Sequence, residues 1–286
     1  MPEIPCKEIT QKIIDSLKSK PAPKKILAAV LIGENPASIS FLKQKEKIAK
    51  ELGVDFRIYN FNDSPEKKLT DDKLRQEVGR IANQKPVGGI IIQLPLPKQF
   101  NGQYILNTIP PEKDVDVLGE RALGAFYAGR GKVLPPAVGV IEEIIVYCGL
   151  RIADLRITVI GSGSLIGKPI SIWLERKTAE LIILNSKTKN IKEKLKDSDI
   201  IISGAGKTNL FSAEDVKENA VIIDFGYNPI EMSSEHGVMS KKINGDFDYS
   251  SLNTQNSSLS YTPTPGGTGP ILVAKIIENF YKLNAL

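Results

Sequence analysis

The chain reads as an α/β protein of two domains, the second built on a doubly wound parallel sheet. Three observations predict this class. Four short apolar runs in the second half, Ile157–Ile160, Glu180–Leu184, Asp199–Ile202 and Ala220–Asp224, are separated by stretches that suit helices, which is the spacing of parallel strands joined by crossovers. The first of these runs passes directly into Gly161, Gly163 and Gly167. A strand, a glycine turn and a helix N-terminus in that order present outward backbone N–H groups, and the helix dipole favours an anion there. The third observation is length: 286 residues suit one large domain or two of ordinary size, and the first half has its own strand–helix alternation. The glycine spacing is one residue longer than the common dinucleotide fingerprint, so taken alone it fits an ordinary tight turn equally well.

The first half begins with a helix within residues 4–20, where Ile9, Ile13, Ile14 and Leu17 recur at helical spacing until Pro21-Ala22-Pro23 ends it. Lys25–Ile32 is a strand, Gly33-Glu34-Asn35-Pro36 a turn, and Ser38 stands near the start of a helix over about 37–52. On that helix Phe41, Leu42, Lys45, Ile48, Ala49 and Leu52 share an arc of roughly 120°. Lys43, Lys47 and Lys50 lie outside it. A lysine inside an apolar stripe either snorkels to solvent or lines a cleft, where burial lowers its pKa. Phe41, one turn earlier, brings a flat ring to the same side. A strand (54–61), a polar loop, a helix (70–84) and a strong strand (87–93) follow. That strand leaves through Gln93-Leu94-Pro95-Leu96-Pro97, a rigid exit from the C-terminal end of a parallel strand, where open α/β sheets bind ligands. Gln93 is there either an ordinary polar strand end or a donor and acceptor facing a ligand.

A short helix (102–108) leads to Pro110–Val117, in which strand alternation sets Asp114 and Asp116 on the same side. Paired acids in such a loop serve as metal ligands, as acceptors for a ligand's hydrogen bonds, or as solvated charges. No histidine or third acid clusters with them, so metal is the least favoured and no metal is expected. A helix over 138–150 opens the second series. Its second strand ends at Asn185-Ser186-Lys187-Thr188, without the Asp or Glu that commonly holds the ribose hydroxyls of NAD. Lys187 and Lys189 stand there instead, either as a site for a ribose phosphate, hence NADP, or as a solvated pair. Ser203–Gly206 and Asp224–Asn228 are glycine-softened strand ends that let a cofactor approach the backbone. Thr262–Pro270 forms a second glycine-rich loop before a helix over 271–281, which is expected to pack back on the first domain. These boundaries give 1–137 plus 270–286 as one domain and 138–269 as the other.

Composition excludes several classes. The net charge is +5 with scattered lysines and no aromatic-interleaved basic tract, so nucleic acid is not an expected partner. No run approaches the roughly 20 apolar residues of a membrane span, and the first residues lack a secretory pattern. Cys6 and Cys148 make neither metal spacing nor a disulfide framework, which suits a reducing cytoplasm. His236, the single histidine, lies in a polar Ser-Ser-Glu-His-Gly stretch and reads as a solvated turn residue. Acid–base chemistry then falls to Lys, Asp, Glu or Tyr.

The separate motifs, in this order, resemble the bifunctional methylenetetrahydrofolate dehydrogenase/cyclohydrolase family over nearly the whole chain. They are Asn35-Pro36-Ala37-Ser38 with Lys45, Gln93–Pro97, Lys113-Asp114-Val115-Asp116, Gly161–Pro169, Asp224 with Gly226 and Asn228, and Thr262-Pro263 with Pro265-Gly266-Gly267 and Gly269-Pro270. The resemblance implies a cytoplasmic homodimer with a folate cleft between two α/β domains, the second Rossmann-like. It implies Lys45 as the catalytic lysine, assisted by Gln93. Phe41, Leu94 and Pro95 would flank the substrate, Asp116 would hold the pterin, and Gly266, Gly267 and Pro270 would line the folate side. Gly161, Ser162 and Gly163, with Ser186, Lys187 and Tyr227, would bind the dinucleotide, NADP with NAD as the alternative.

The chain also departs from the family pattern. Phe41 stands where the family usually has Tyr, Val117 where it has Gly, Pro135-Pro136-Ala137-Val138 where it has Pro-Cys-Thr-Pro, and Gly161-Ser162-Gly163 where it has Gly-Arg-Ser. Loss of the tyrosine hydroxyl puts the hydrolytic step in question more than the redox step. Loss of the arginine leaves the ribose phosphate to Lys187. Three other readings stand beside the bifunctional enzyme: a dehydrogenase with weak or absent cyclohydrolase activity, a non-catalytic folate- or nucleotide-binding subunit, and a two-domain dehydrogenase of the shikimate type.

Overall fold

The computed structural model describes residues 3–62, 68–233, 239–253 and 258–285; His236 lies outside them. The chain divides into two compact units, one of Gln11–Pro136 with Val273–Leu286 and one of Met1–Thr10 with Ala137–Leu272. The α/β class and the parallel sheets expected from the sequence are present in both. Among the described residues no helix is long and apolar enough to cross a membrane.

The first unit is built on a parallel sheet of β1 (Ile26–Ile32), β2 (Asp55–Phe61) and β3 (Val87–Ile92), in the order β2-β1-β3. β1 and β3 are buried along their whole lengths, so they read as continuous apolar runs rather than alternating ones. Edge strand β2 alternates between half-buried and exposed positions over most of its length. Around the sheet come α1 (Cys6–Lys18, whose first five residues belong to the other unit), α2 (Pro36–Glu51), α3 (Asp71–Ala82), α4 (Gly102–Leu106) and α5 (Glu120–Tyr127). Leu74, Val78 and Ile81 of α3 are fully buried in one cluster with Ala28, Val30, Ile90 and Ile92. The final helix, α9 (Thr268–Leu283), returns to this unit from residue 273. Gly89 makes room for it: a Cβ there would lie 2.7 Å from the Phe280 ring and 2.9 Å from Val115.

In the second unit a parallel sheet has the order β10-β7-β6-β4-β5, from β4 (Arg156–Ile160), β5 (Glu180–Leu184), β6 (Ile200–Ser203), β7 (Val221–Asp224) and β10 (Ser260–Tyr261). The helices α6 (Pro136–Tyr147), α7 (Gly167–Leu174) and α8 (Ile191–Leu195) accompany it. An antiparallel hairpin, β8 (Asn228–Ser233) with β9 (Met239–Asn244), follows β7. The core on one side gathers Ile160, Leu195, Ile201, Phe211, Ile222 and Phe247. The first residues close the sheet's outer edge, where Ile4 N–H donates to the Tyr261 carbonyl at 2.8 Å.

Three features differ from the sequence expectation or extend it. α2 starts at Pro36, and its cap is Asn35, whose side-chain oxygen accepts from the N–H groups of Ala37 and Ser38. Helix α5 and the β8–β9 hairpin carry too short a pattern to announce themselves. Residues 114–119 are a turn after a 3₁₀ segment, and among the described residues their backbone pairs with the sheet at one isolated bridge, between Asp114 and Ile90. Strand alternation therefore does not govern Asp114 and Asp116.

Candidate active site

Lys45 projects from the buried stripe of α2 and is 3% exposed. It does not snorkel. Its ammonium donates to Gln93 Oε1 at 2.9 Å and stands 5.2 Å from the centre of the Phe41 ring. Burial holds its pKa below the ordinary lysine value, and Asp116 opposes that shift. The half-buried Asp116 shows the mirror image: burial raises its carboxyl, and Lys45 pulls it down. The structure thus brings Phe41, Lys45, Gln93 and Asp116 together.

The exit of β3 fixes Gln93. Its own amide donates to the Leu94 carbonyl at 2.8 Å, and the Ser38 hydroxyl reaches the same carbonyl at 3.3 Å. Gln93 Oε1 is thereby turned toward the lysine. Leu94 is half-buried and Pro95 exposed, and the peptide between them is cis.

In the second unit the glycine turn after β4 divides into two kinds of position. Gly161 has φ +103°, and a Cβ there would lie 2.7 Å from the Gly204 carbonyl oxygen. At Gly167 a Cβ would lie 1.8 Å from the Gly161 carbonyl oxygen. These two glycines allow β4, β6 and α7 to close on one another. Gly163 is different: a Cβ there would meet nothing within 4 Å, so the turn leaves open space above exposed Ser162 and Gly163 and the uncapped start of α7. That is the shape and polarity a pyrophosphate needs. Ser186 and Lys187 are exposed just past β5, in a turn closed by Asn185 Oδ1 accepting from Lys187 N–H at 2.9 Å. Tyr227 is 58% exposed just after β7.

Two buried acids that carry no family role in the sequence reading organise these strand ends. Asp246, fully buried, accepts from the Ser203 hydroxyl and from the N–H groups of Ala205, Gly206 and Lys207. Asp224 at the end of β7 accepts from the N–H groups of Gly226 and Phe247, with the Tyr249 hydroxyl 3.1 Å away. Its backbone receives the Thr268 hydroxyl and donates to Thr262 Oγ1. The loop bearing Gly266, Gly267 and Pro270 is thereby tied to β7. A Cβ at Gly267 would lie 2.2 Å from the Pro263 carbonyl oxygen. Burial and the neighbouring Asp246 push the Asp224 carboxyl up to about 6. The partners of Asp246 lie about 40 residues away in sequence, so no local motif marks it.

Comparison with known proteins matches both units of the chain to one family. Residues 4–116 match the model of the tetrahydrofolate dehydrogenase/cyclohydrolase catalytic domain, and residues 135–285 that of the tetrahydrofolate dehydrogenase/cyclohydrolase NAD(P)-binding domain. The bifunctional protein FolD of Staphylococcus aureus is 35% identical over 269 residues, covering 94% of this chain and 89% of its own. Among solved structures, the FolD methylenetetrahydrofolate dehydrogenase/cyclohydrolase of Campylobacter jejuni superposes with a TM-score of 0.87 at 28% identity, over 99% of this chain and 98% of the other. The Trypanosoma brucei enzyme, solved with NADP cofactor and inhibitor, gives a TM-score of 0.87 at 25% identity, over 99% and 98%.

Proposed function

The chain belongs to the tetrahydrofolate dehydrogenase/cyclohydrolase family, and from that premise we propose that Lys45, Gln93 and Asp116 form its catalytic group. It is a methylenetetrahydrofolate dehydrogenase and methenyltetrahydrofolate cyclohydrolase that depends on a nicotinamide dinucleotide. When bound, the nicotinamide supplies a two-electron acceptor for the hydride of the methylene carbon. The rest falls to the chain's own residues. Gly161, Ser162 and Gly163 receive the pyrophosphate, with Ser186 and Tyr227 beside it. Asp116 holds the pterin; Leu94, Pro95, Gly266, Gly267 and Pro270 flank the folate.

In the second step water's oxygen adds to the cationic methenyl carbon and gives up a proton. One carbon–nitrogen bond then opens, and the freed nitrogen takes a proton. Lys45 suits that traffic because burial lowers its pKa below the ordinary lysine value, so the amine gives up its proton more readily than an exposed lysine does. Gln93 holds the amine in place and polarises it. The observation that carries this reading is the Lys45–Gln93 pair itself, an ammonium 3% exposed and 2.9 Å from an amide oxygen.

NADP is the proposed cofactor: the end of β5 offers Lys187, with Lys189 nearby, and no acid. We place the folate and catalytic functions in 1–137 plus 270–286 and cofactor binding in 138–269. The enzyme works as a cytoplasmic homodimer supplying one-carbon units to purine biosynthesis, without nucleic acid or membrane partners. Phe41 favours a second reading, in which the dehydrogenase outpaces the cyclohydrolase because no phenol hydroxyl stands beside the amine.

One assay tests the set: the appearance of methenyl-folate absorbance with NADP or NAD, then its decay. Lys45→Met is expected to leave appearance within a few-fold and to slow decay by about 10²–10⁴, the usual worth of a general acid–base group. Unchanged decay refutes the role of Lys45.

A further inference from the structure

Asp116 sits in a turn that two buried polar side chains hold from opposite ends, and neither of them belongs to the catalytic group. On one side Asn279 of α9 donates Nδ2 to the carbonyls of Val115 and Leu134, each at 2.8 Å. On the other, Asp114 Oδ2 accepts from the N–H groups of Leu118 at 3.0 Å and Gly119 at 2.8 Å. Asp114 is 1% exposed, and its second oxygen is buried without a partner. Between the two grips lie Asp116 and Val117. Val117 is buried and has φ +56°, a left-handed conformation that a β-branched residue adopts only where its surroundings enforce it. Residues of this kind cluster at functional sites. The space at Gly119 is equally closed: a Cβ there would lie 3.2 Å from Asp114 Oδ2 and 3.3 Å from the Leu106 carbonyl oxygen. The turn therefore has no slack on the side where Asp114 holds it.

We propose that Asp114 is a positioning residue. By gathering the amides that follow Asp116, its carboxyl fixes the turn and keeps the Asp116 carboxylate beside Lys45. A capping acid with both oxygens engaged would read as ordinary loop closure. Asp114 instead leaves one oxygen buried without a hydrogen-bond partner among the described residues, in a carboxyl that burial and then the neighbouring Asp116 push up to about 7, a cost that proteins rarely leave uncompensated. The compensation is a fixed neighbour, because the acid it holds is the charged group that acts on Lys45.

This inference rests on Lys45 and Asp116 being the working pair, so Lys45→Met is measured alongside. The variant is Asp114→Ala, and the readouts are KM for methenyl-folate and the pH profile of its hydrolysis. With the turn released, Asp116 moves from Lys45, the amine loses the charge that favours its protonated form, and the ionisation it contributes moves to lower pH. The expected result is a KM raised about tenfold and a profile limb shifted down by about half a unit or more, each 1.4 kcal/mol being a factor of ten. Asp114→Asn, which keeps one oxygen for the two amides, stays within twofold of the parent in both readouts. A residue that only stabilised the fold would lower the melting temperature and leave KM and the limb where they were, and that result overturns the proposal. If Asp114→Ala yields no folded protein, Asp114→Ser, with one acceptor, gives the same two shifts at smaller size, and their absence overturns the proposal equally. Loss of hydrolysis in Lys45→Met together with an unmoved Asp114→Ala profile sinks this inference alone. Unchanged hydrolysis in Lys45→Met sinks the catalytic assignment beneath it.

Discussion

Lys45 and Asp246 are both charged groups removed from water, one in each unit, and they are treated in opposite ways. Asp246 receives a hydroxyl and three backbone N–H groups, with the Asn228 amide at 3.3 Å. Its capacity to accept is filled. Lys45 has three hydrogens to donate, and its described hydrogen bond goes to a single neutral amide oxygen. An aromatic ring and a half-buried acid complete its surroundings. The filled charge is architecture: it welds the segment after β6 to the segment before Asp248. The other keeps donors to spare, which is what the proposed acid–base role requires. Both are equally hidden, so burial does not separate structural from chemical charges here; the number of unused donors does.

That contrast breaks most plainly at Asp246. Asp246→Ala leaves the amides of Ala205, Gly206 and Lys207 and the Ser203 hydroxyl without their acceptor. We expect a loss of about 3–5 kcal/mol in denaturant melts and weaker dinucleotide binding by titration. A loss below 1 kcal/mol would remove the distinction.

Next in size is the pH dependence of the neighbouring Asp224. Its folded value of about 6 lies above that of the unfolded chain. A raised carboxyl contributes stability that is full below pH ~4 and is lost as pH rises through about 6. The stability of the parent relative to Asp224→Asn should therefore fall by up to about 3 kcal/mol between pH 4 and pH 7. Urea midpoints at the two pH values check this, and a flat difference contradicts it.

Lys45→Met carries the opposite sign to Asp246→Ala. Replacing an under-satisfied buried amine by an apolar chain of similar length should leave stability unchanged or raise it by about 1 kcal/mol, while hydrolysis is lost. A destabilisation of 3 kcal/mol would make Lys45 a structural charge like Asp246. The smallest effect is Phe41→Tyr, which gives the amine a hydroxyl neighbour. Cyclohydrolase turnover should rise by about three- to tenfold, the worth of one hydrogen bond, with dehydrogenase turnover within twofold. No rise would leave Phe41 as a stacking surface alone.

Much of this was legible in the sequence because it is written in local periods. The arc on α2 singled out Lys45 and Phe41, since a helix repeats every 3.6 residues and the apolar stripe had one intruder. The continuous apolar runs of β1, β3, β4, β6 and β7 marked strands buried on both faces. The glycine turn announced itself, although the structure alone divides it into Gly161 and Gly167, needed for close packing, and Gly163, which faces open space. What stayed illegible depends on distant pairs. Asn279 acts on a carbonyl 164 residues away. Asp246 works 43 residues from Ser203. The roles of Asp114 and Asp116 were blurred because a period of two was applied to a turn that never joins the sheet beyond one bridge.

The last helix has a consequence for how the molecule is made. A ribosome delivers the chain from its first residue, and the three strands around β1 emerge within the first third. They still lack Phe280 against Gly89, Tyr281 on the Leu52 carbonyl and Asn279 on Val115. The other sheet waits as well, for Tyr261 to receive Ile4 and for Thr268 to reach Asp224. Neither sheet has all its partners until residues 261–281 have been made, so a chain cut before Tyr261 would leave two incomplete cores for the cell's proteases.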